Sequence, residues 1–228
     1  MNKVIGIIIF SFIFLGCKEK NTDKNKPDLK TEFNQELADE LERMVEIDQI
    51  VASNAFPPEK YSHLTQEKWE LFKDSVYLKN QKRAKEILDE FGFVGFNLAG
   101  ENGSRNFWLI AQHSDHNPEF QKEVLVEMKK EVDKQNAIST NYGLLVDRVN
   151  LNTGKAQVYG TQVTYNMNNG QAYPKKLADS LNVNKRRKSI GLEPIEEYLN
   201  GMTEMHFEMN KENYLKKGIT KPILYETN

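Results

Sequence analysis

The sequence predicts an α+β protein: a mainly helical domain with a small antiparallel hairpin sheet inserted before its C-terminal helices. Three observations carry this reading. Apolar residues recur at helical spacing over several long stretches, as in Leu37, Leu41, Met44 and Val45. Between Gln157 and Tyr165 the period changes to two, which is the spacing of a strand. Asn152-Thr153-Gly154-Lys155 and Asn169-Gly170 bracket that stretch with hairpin-turn chemistry.

The chain has 228 residues, 39% of them hydrophobic, which is enough for one sizeable core. A single globular domain is expected over residues 31–209, with a loosely attached tail at 210–228. The 31 basic and 33 acidic side chains leave no cationic surplus to neutralise phosphates, so a nucleic-acid partner is excluded.

Residues 1–16 read as a signal peptide. Lys3 is followed by an apolar run from Val4 to Leu15, shorter than the roughly twenty residues a bilayer span needs. Phe14-Leu15-Gly16-Cys17 resembles the lipobox of bacterial lipoproteins, in which the cysteine is lipidated and becomes the first residue of the mature chain. Cys17 is the single cysteine, so no internal disulfide competes for it. Residues 17–30 then form a lysine-rich tether with one apolar residue, Leu29, too few to offset the entropy of ordering. The expected location is the bacterial cell envelope, outside the cytoplasm, with the membrane as partner through lipid on Cys17.

The elements follow in order. Thr31 is a plausible N-cap for a first helix, whose apolar stripe is interrupted by Asp48. Phe56-Pro57-Pro58 ends it. A second helix runs from Thr65 to Gly92, carrying Trp69, Phe72, Val76, Ala84, Ile87 and Leu88, with Asn80 and Arg83 as polar intrusions. Phe93 to Gly103 is punctuated by glycine and reads as a loop. A short, nearly all-apolar helix spans Arg105 to His113 and is expected at the centre. Asn117-Pro118 opens the next helix as cap and first residue. Another begins at Ser139 or Thr140 and gives way to the first hairpin at Val149-Asn150-Leu151. The return strand is Gln157 to Tyr165, and Gln171-Ala172-Tyr173 pairs with its end. Helices around Val183–Ser189 and after Pro194 complete the domain.

Polar residues that break these patterns are the candidate site. His113 ends an apolar helix; an imidazole titrates near neutral pH and serves as general acid or base, although the same position suits a capping histidine. Asp48 is its candidate catalytic partner. Arg148 and Arg187 offer planar forks for an anion. Gln157, Tyr159 and Gln162 complete the ligand-binding set. The two glutamines face opposite ways on a regular strand and meet only if Gly160 forms a bulge. His113, Asp115 and His116 fit no metal-ligand spacing, and no cofactor motif is present, so neither metal nor cofactor is expected.

Taken together, the blocks Trp108-LIAQH-Ser114, Asn117-PEFQ-Lys122, Asp147-Arg148-Val149, Gln157-VYGTQ-Val163 and Arg186-R-x-x-x-GL resemble an uncharacterised bacterial domain-of-unknown-function family over roughly Leu37 to Leu199. The resemblance implies a shared site and names no chemistry. Where it leads to expecting an acid three residues before Asn80, this chain has Tyr77.

Two functions compete. One is a lipid-anchored envelope protein that binds a small polar or anionic ligand, or a partner, in a cleft beside the hairpins at 149–173. The other is a hydrolase-type enzyme with His113 as general acid or base, Asp48 or Asp147 orienting it, and Arg148 or Arg187 holding an anion. A scaffold without a pocket is the third possibility. The anchor is testable by itself: Cys17→Ser should move the protein from the membrane pellet to the soluble envelope fraction. Retention in the pellet after a high-salt wash would contradict lipidation.

Overall fold

The computed structural model describes residues 32–227. The expected signal peptide, Cys17, the tether and the Thr31 cap lie outside the described residues. Eight α-helices and one two-stranded antiparallel sheet make up the described part, with a single 3₁₀ turn at Glu59–Tyr61. No described helix is long and apolar enough to cross a membrane.

Helix α1 (Gln35–Ser53) is capped by Asn34, whose Oδ1 accepts from the Leu37 N–H at 3.0 Å. Helix α2 (Gln66–Phe91) is capped by Thr65 and stops at Gly92. The glycine-rich segment expected as a loop is largely helical instead. Helix α3 (Phe96–Gln112) starts at Phe96 and is broken only at Ala99 and Gly100, the latter at φ +71°. Gly103 shows why glycine recurs here. A Cβ on it would stand 2.5 Å from the Ala99 Cβ, so its absence lets the first turn of α3 fold close against the rest of the helix across the break. Ala38 on α1, at 3.9 Å, would be at ordinary contact distance.

Helix α3 is the central element, packed on α1, α2, α4 (Pro118–Asp133) and α5 (Ser139–Asn152). Phe107, Ile110 and Ala111 on α3 are buried with Leu41, Ile87, Phe120, Val124, Met128, Leu145 and Val149. Burying each large apolar side chain contributes about 1.5–3 kcal/mol, so this face is what holds the bundle together.

The first expected hairpin does not exist. Helix α5 runs on through Asn152 because Val149, one turn beyond Leu145, is buried on the same face. Gly154, at φ +77°, terminates the helix: its N–H donates to Leu151 O (3.0 Å) and that of Lys155 to Asn150 O (2.7 Å). The second hairpin is present. Strands β1 (Val163–Tyr165) and β2 (Ala172–Pro174) pair with Thr164 opposite Tyr173, and Gly170 turns between them at φ +74°. A second apolar cluster lies under this sheet, from Ala172, Val183 on α6 (Val183–Ser189), and Ile195 and Leu199 on α7 (Ile195–Met209).

The segment 210–227, expected to be loosely attached, is tied down by two tyrosines. Tyr214 on α8 (Lys211–Lys216) is buried and stacks on Phe207, with ring centroids 5.5 Å apart. The Tyr225 hydroxyl donates to Ala172 O (2.7 Å), and its N–H donates to Asn200 Oδ1 (2.7 Å).

Residues 157–162 do not form the expected regular strand. They wind round the fully buried Asp147 carboxylate. It accepts from the N–H groups of Val158 (2.6 Å), Tyr159 (3.0 Å) and Thr161 (2.9 Å), and from the Thr161 hydroxyl (3.0 Å). Gly160, at φ +71°, makes the turn possible. Gln157 then closes the loop: its Nε2 donates to Gln162 O (2.8 Å), and its Oε1 accepts from Gln162 N–H (2.7 Å). Replacing Asp147 by Asn turns an all-acceptor group into one that points N–H toward N–H. Chemical denaturation should show a loss of about 3 kcal/mol; a change below about 1 kcal/mol would mean the loop does not depend on the carboxylate.

Candidate functional site

A cleft of about 500 Å³ is lined by Asp74, Tyr77 and Leu78 from α2, His113, Asp115 and His116 around the α3–α4 connection, and Arg148 from α5. Its walls are helices and a short loop; the β-hairpin, where a cleft was expected, contributes none of these residues.

His113 is the C-cap of α3, fixed by its N–H bonding to Leu109 O at 3.1 Å. Its Nδ1 lies 2.5 Å from Asp48 Oδ2. Asp48 sits on the inner face of α1 and is fully buried. Gln49 Nε2 donates to the same Oδ2 at 3.2 Å, while Oδ1 has no protein partner. A carboxylate accepts, so in a neutral ring Nδ1 carries the proton and Nε2 keeps the lone pair. Nε2 has no hydrogen-bond partner among the described residues. The ring is 18% exposed against 1% for the Asp48 side chain, so the pair meets the cleft through the imidazole.

Tyr77 stands edge-on to His113, with centroids 6.1 Å apart and planes at 75°. Burial pushes its hydroxyl pKa up, and the charge of Asp48 pushes it further, so the phenol stays protonated as a donor beside the imidazole. Across the cleft, Arg148 grips Asp115 with two bonds, Nε to Oδ1 at 2.7 Å and Nη2 to Oδ2 at 2.5 Å. Asn152 donates to Asp115 Oδ1 at 2.8 Å, and the buried Gln121 does so at 3.3 Å. Burial would raise the Asp115 pKa, but the hydrogen bond and charge of Arg148, with the two amides, outweigh it and hold the carboxyl below its ordinary value. The contribution of this pair is therefore present above the unfolded carboxylate range and is lost as pH falls through the lowered value.

Of the residues expected from sequence, His113, Asp48 and Arg148 come together here. Arg148 pairs with Asp115, neither with its neighbour Asp147 nor with Asp48. Gln157, Tyr159, Gln162 and Arg187 do not line the cleft. Gln157 is fully buried and has the loop-closing role described above. Gln162 Nε2 reaches only Thr161 Oγ1, at 3.5 Å. The Tyr159 carbonyl accepts from Arg187 Nη1 at 2.8 Å. Arg187 is fully buried, donates from Nε to Glu193 O (2.6 Å), and lies 4.9 Å from the Tyr198 ring centre. Burial lowers its pKa, and its side chain is closed off from solvent.

Sequence reasoning passed over Asp74 and left Tyr77, Asp115 and His116, although named, outside the expected site. Asp74 and Tyr77 lie three apart on α2, with Asn80 three further on, so one strip of the helix carries Asp, Tyr and Asn beside its apolar stripe. Asn80 itself is structural: it is buried and donates to Met44 O at 3.3 Å, joining α2 to α1. Among the described residues no group of histidines, cysteines and carboxylates is placed to hold a metal ion.

Comparison with curated proteins and with solved structures gives no match. A family model described as "Family of unknown function (DUF6624)" matches residues 35–209, which takes in α1 to α7 and every residue of the cleft. The chain belongs to the DUF6624 family.

Proposed function

We propose that this protein is a lipid-anchored component of the bacterial cell envelope whose cleft carries out hydrolysis, with His113 as the general base. The observation that carries the enzymatic part is the Asp48–His113 pair. A fully buried carboxylate orients one ring nitrogen and leaves the other, without a protein partner, on a ring that lines a cleft. The anchor rests on the lipobox-like Phe14-Leu15-Gly16-Cys17.

Among the described residues no activated side-chain nucleophile adjoins the imidazole. Ser114, next in sequence, is buried, and its hydroxyl donates to Ile110 O at 2.8 Å. Water is therefore the natural nucleophile. His113 Nε2 takes a proton from it as its oxygen attacks an electrophilic carbon, and the imidazolium returns that proton to the leaving group. Asp48 stabilises the imidazolium and keeps the ring oriented. The Tyr77 hydroxyl supplies a hydrogen bond to the oxygen on which charge develops.

A panel of chromogenic esters, amides and glycosides tests this reading. For the substrate class that turns over, His113→Ala should lower kcat by about 10²- to 10⁴-fold. Because it leaves the buried Asp48 carboxylate without its partner, it should also cost about 3–5 kcal/mol of folding stability, so turnover is compared below the melting transition. Asp48→Asn should also reduce kcat, with less effect on KM. Turnover that survives in His113→Ala would contradict the assignment of the base.

A further inference from the structure

The cleft that takes the water should also select its ligand by charge. Around the His113 ring stand three carboxylates and one guanidinium. Asp48 lies behind the ring, and its described partners are the neutral Gln49 amide and His113 itself. Asp115 is matched by Arg148. Asp74, on the cleft wall and exposed, has neither a hydrogen bond nor an ion pair among the described residues. With neutral histidines the sum is negative.

Arg148, the one cation lining the cleft, is poorly available to an anion. Both nitrogens of one edge of its fork are held by Asp115, which the Asn152 and Gln121 amides fix in turn. An anionic ligand would find only the remaining edge of the fork, beside a carboxylate already in place, and would face Asp74. A cationic ligand finds Asp74 unpaired. It also finds an apolar wall for its stem: Leu78 is half-exposed at the cleft, and the Tyr77 ring can face a cation.

We propose that the cleft selects ligands bearing a cationic group, a primary amine or a guanidinium, with Asp74 as the carboxylate that receives it. The proposal rests on the acid–base reading of the same cleft only for where the reacting bond lies, beside His113 Nε2. It also reverses the role expected of Arg148, which becomes a positioning residue for Asp115 rather than an anion holder.

Benzylamine and benzoate share a ring and differ in the sign of their charge, so they isolate this effect. Each is titrated into the full chain at low salt and about pH 8, and binding is followed on the ring signals of His113, assigned with His113→Asn. Benzylamine should bind saturably and at least about tenfold more tightly than benzoate, with the difference shrinking as salt is added. Asp74→Asn, which leaves the Asp48–His113 pair untouched, should bring the two affinities within about twofold. Benzoate binding as tightly as benzylamine would overturn the proposal, as would a preference that survives Asp74→Asn or a failure of benzylamine to bind at millimolar concentration. The two readings of the cleft fail separately. Amine selectivity in the wild type that is lost in Asp74→Asn, with no hydrolysis of any substrate in the panel, would remove the enzyme and keep the cation site. Hydrolysis that depends on His113 but shows no charge preference would remove the cation site alone.

Discussion

A carboxylate without access to water must be matched inside the protein, and on α1 that demand falls on Asp48. Its match is His113, which the C-terminus of α3 delivers from across the helix–helix contact. The close approach of α1 and α3 is therefore more than packing. The apolar faces around Leu41 and Phe107 hold the two helices together, and the Asp48–His113 bond forms as a consequence. The cleft opens at the His113 end of α3, with α2 and α5 as its other walls, so the packing of the core sets the geometry of the site.

The chain buries a second carboxylate, Asp147, and the contrast between the two is instructive. Asp147 is surrounded by donors: three backbone N–H groups and a hydroxyl converge on it, and both oxygens are engaged. That is how a structural carboxylate looks, and its product is the shape of the 157–162 loop. Asp48 has one oxygen without a partner and the other on a ring that reaches open space. Less complete internal satisfaction, behind a ring that lines a cleft, is the feature on which the proposed chemistry rests. The same criterion separates the arginines. Arg187 is enclosed by the Tyr159 and Glu193 carbonyls and the Tyr198 ring, whereas Arg148 stands on the cleft wall.

Much of the helical framework was legible because burial imposes a period. Leu37 and Leu41, the Asn117-Pro118 start and the Gly92 stop all read directly into helices. Gly154 was misread because a glycine at positive φ serves a hairpin turn and a helix C-terminus equally well; what decides is the burial of Val149 one turn beyond Leu145, a long-range fact. The alternation from Gln157 to Tyr165 misled for a related reason. The N–H groups of Val158, Tyr159 and Thr161 are taken by Asp147 rather than by a neighbouring strand, and no local pattern records that. In the site, Asp48 and His113 were visible as polar breaks in apolar stripes, and Asp48 was one of two carboxylates expected to orient the ring. Which of Asp48 and Asp147 does so depends on a contact that spans 65 residues and is set by folding. Asp74 and Tyr77 broke no pattern, since they flank the buried stripe of α2 rather than interrupt it; their one signal is the strip they share with Asn80.

The central claim is that Asp48 holds the His113 ring with Nδ1 protonated and the Nε2 lone pair free in the cleft. Long-range ¹H–¹⁵N correlation of the histidine rings reads this directly in the neutral form of the protein. The account predicts that His113 is the Nδ1–H tautomer, with its Nδ1 proton protected from exchange by the bond to Asp48. A neutral His113 protonated on Nε2 would contradict it, because Nδ1 would then be the acceptor and no free lone pair would remain to activate water.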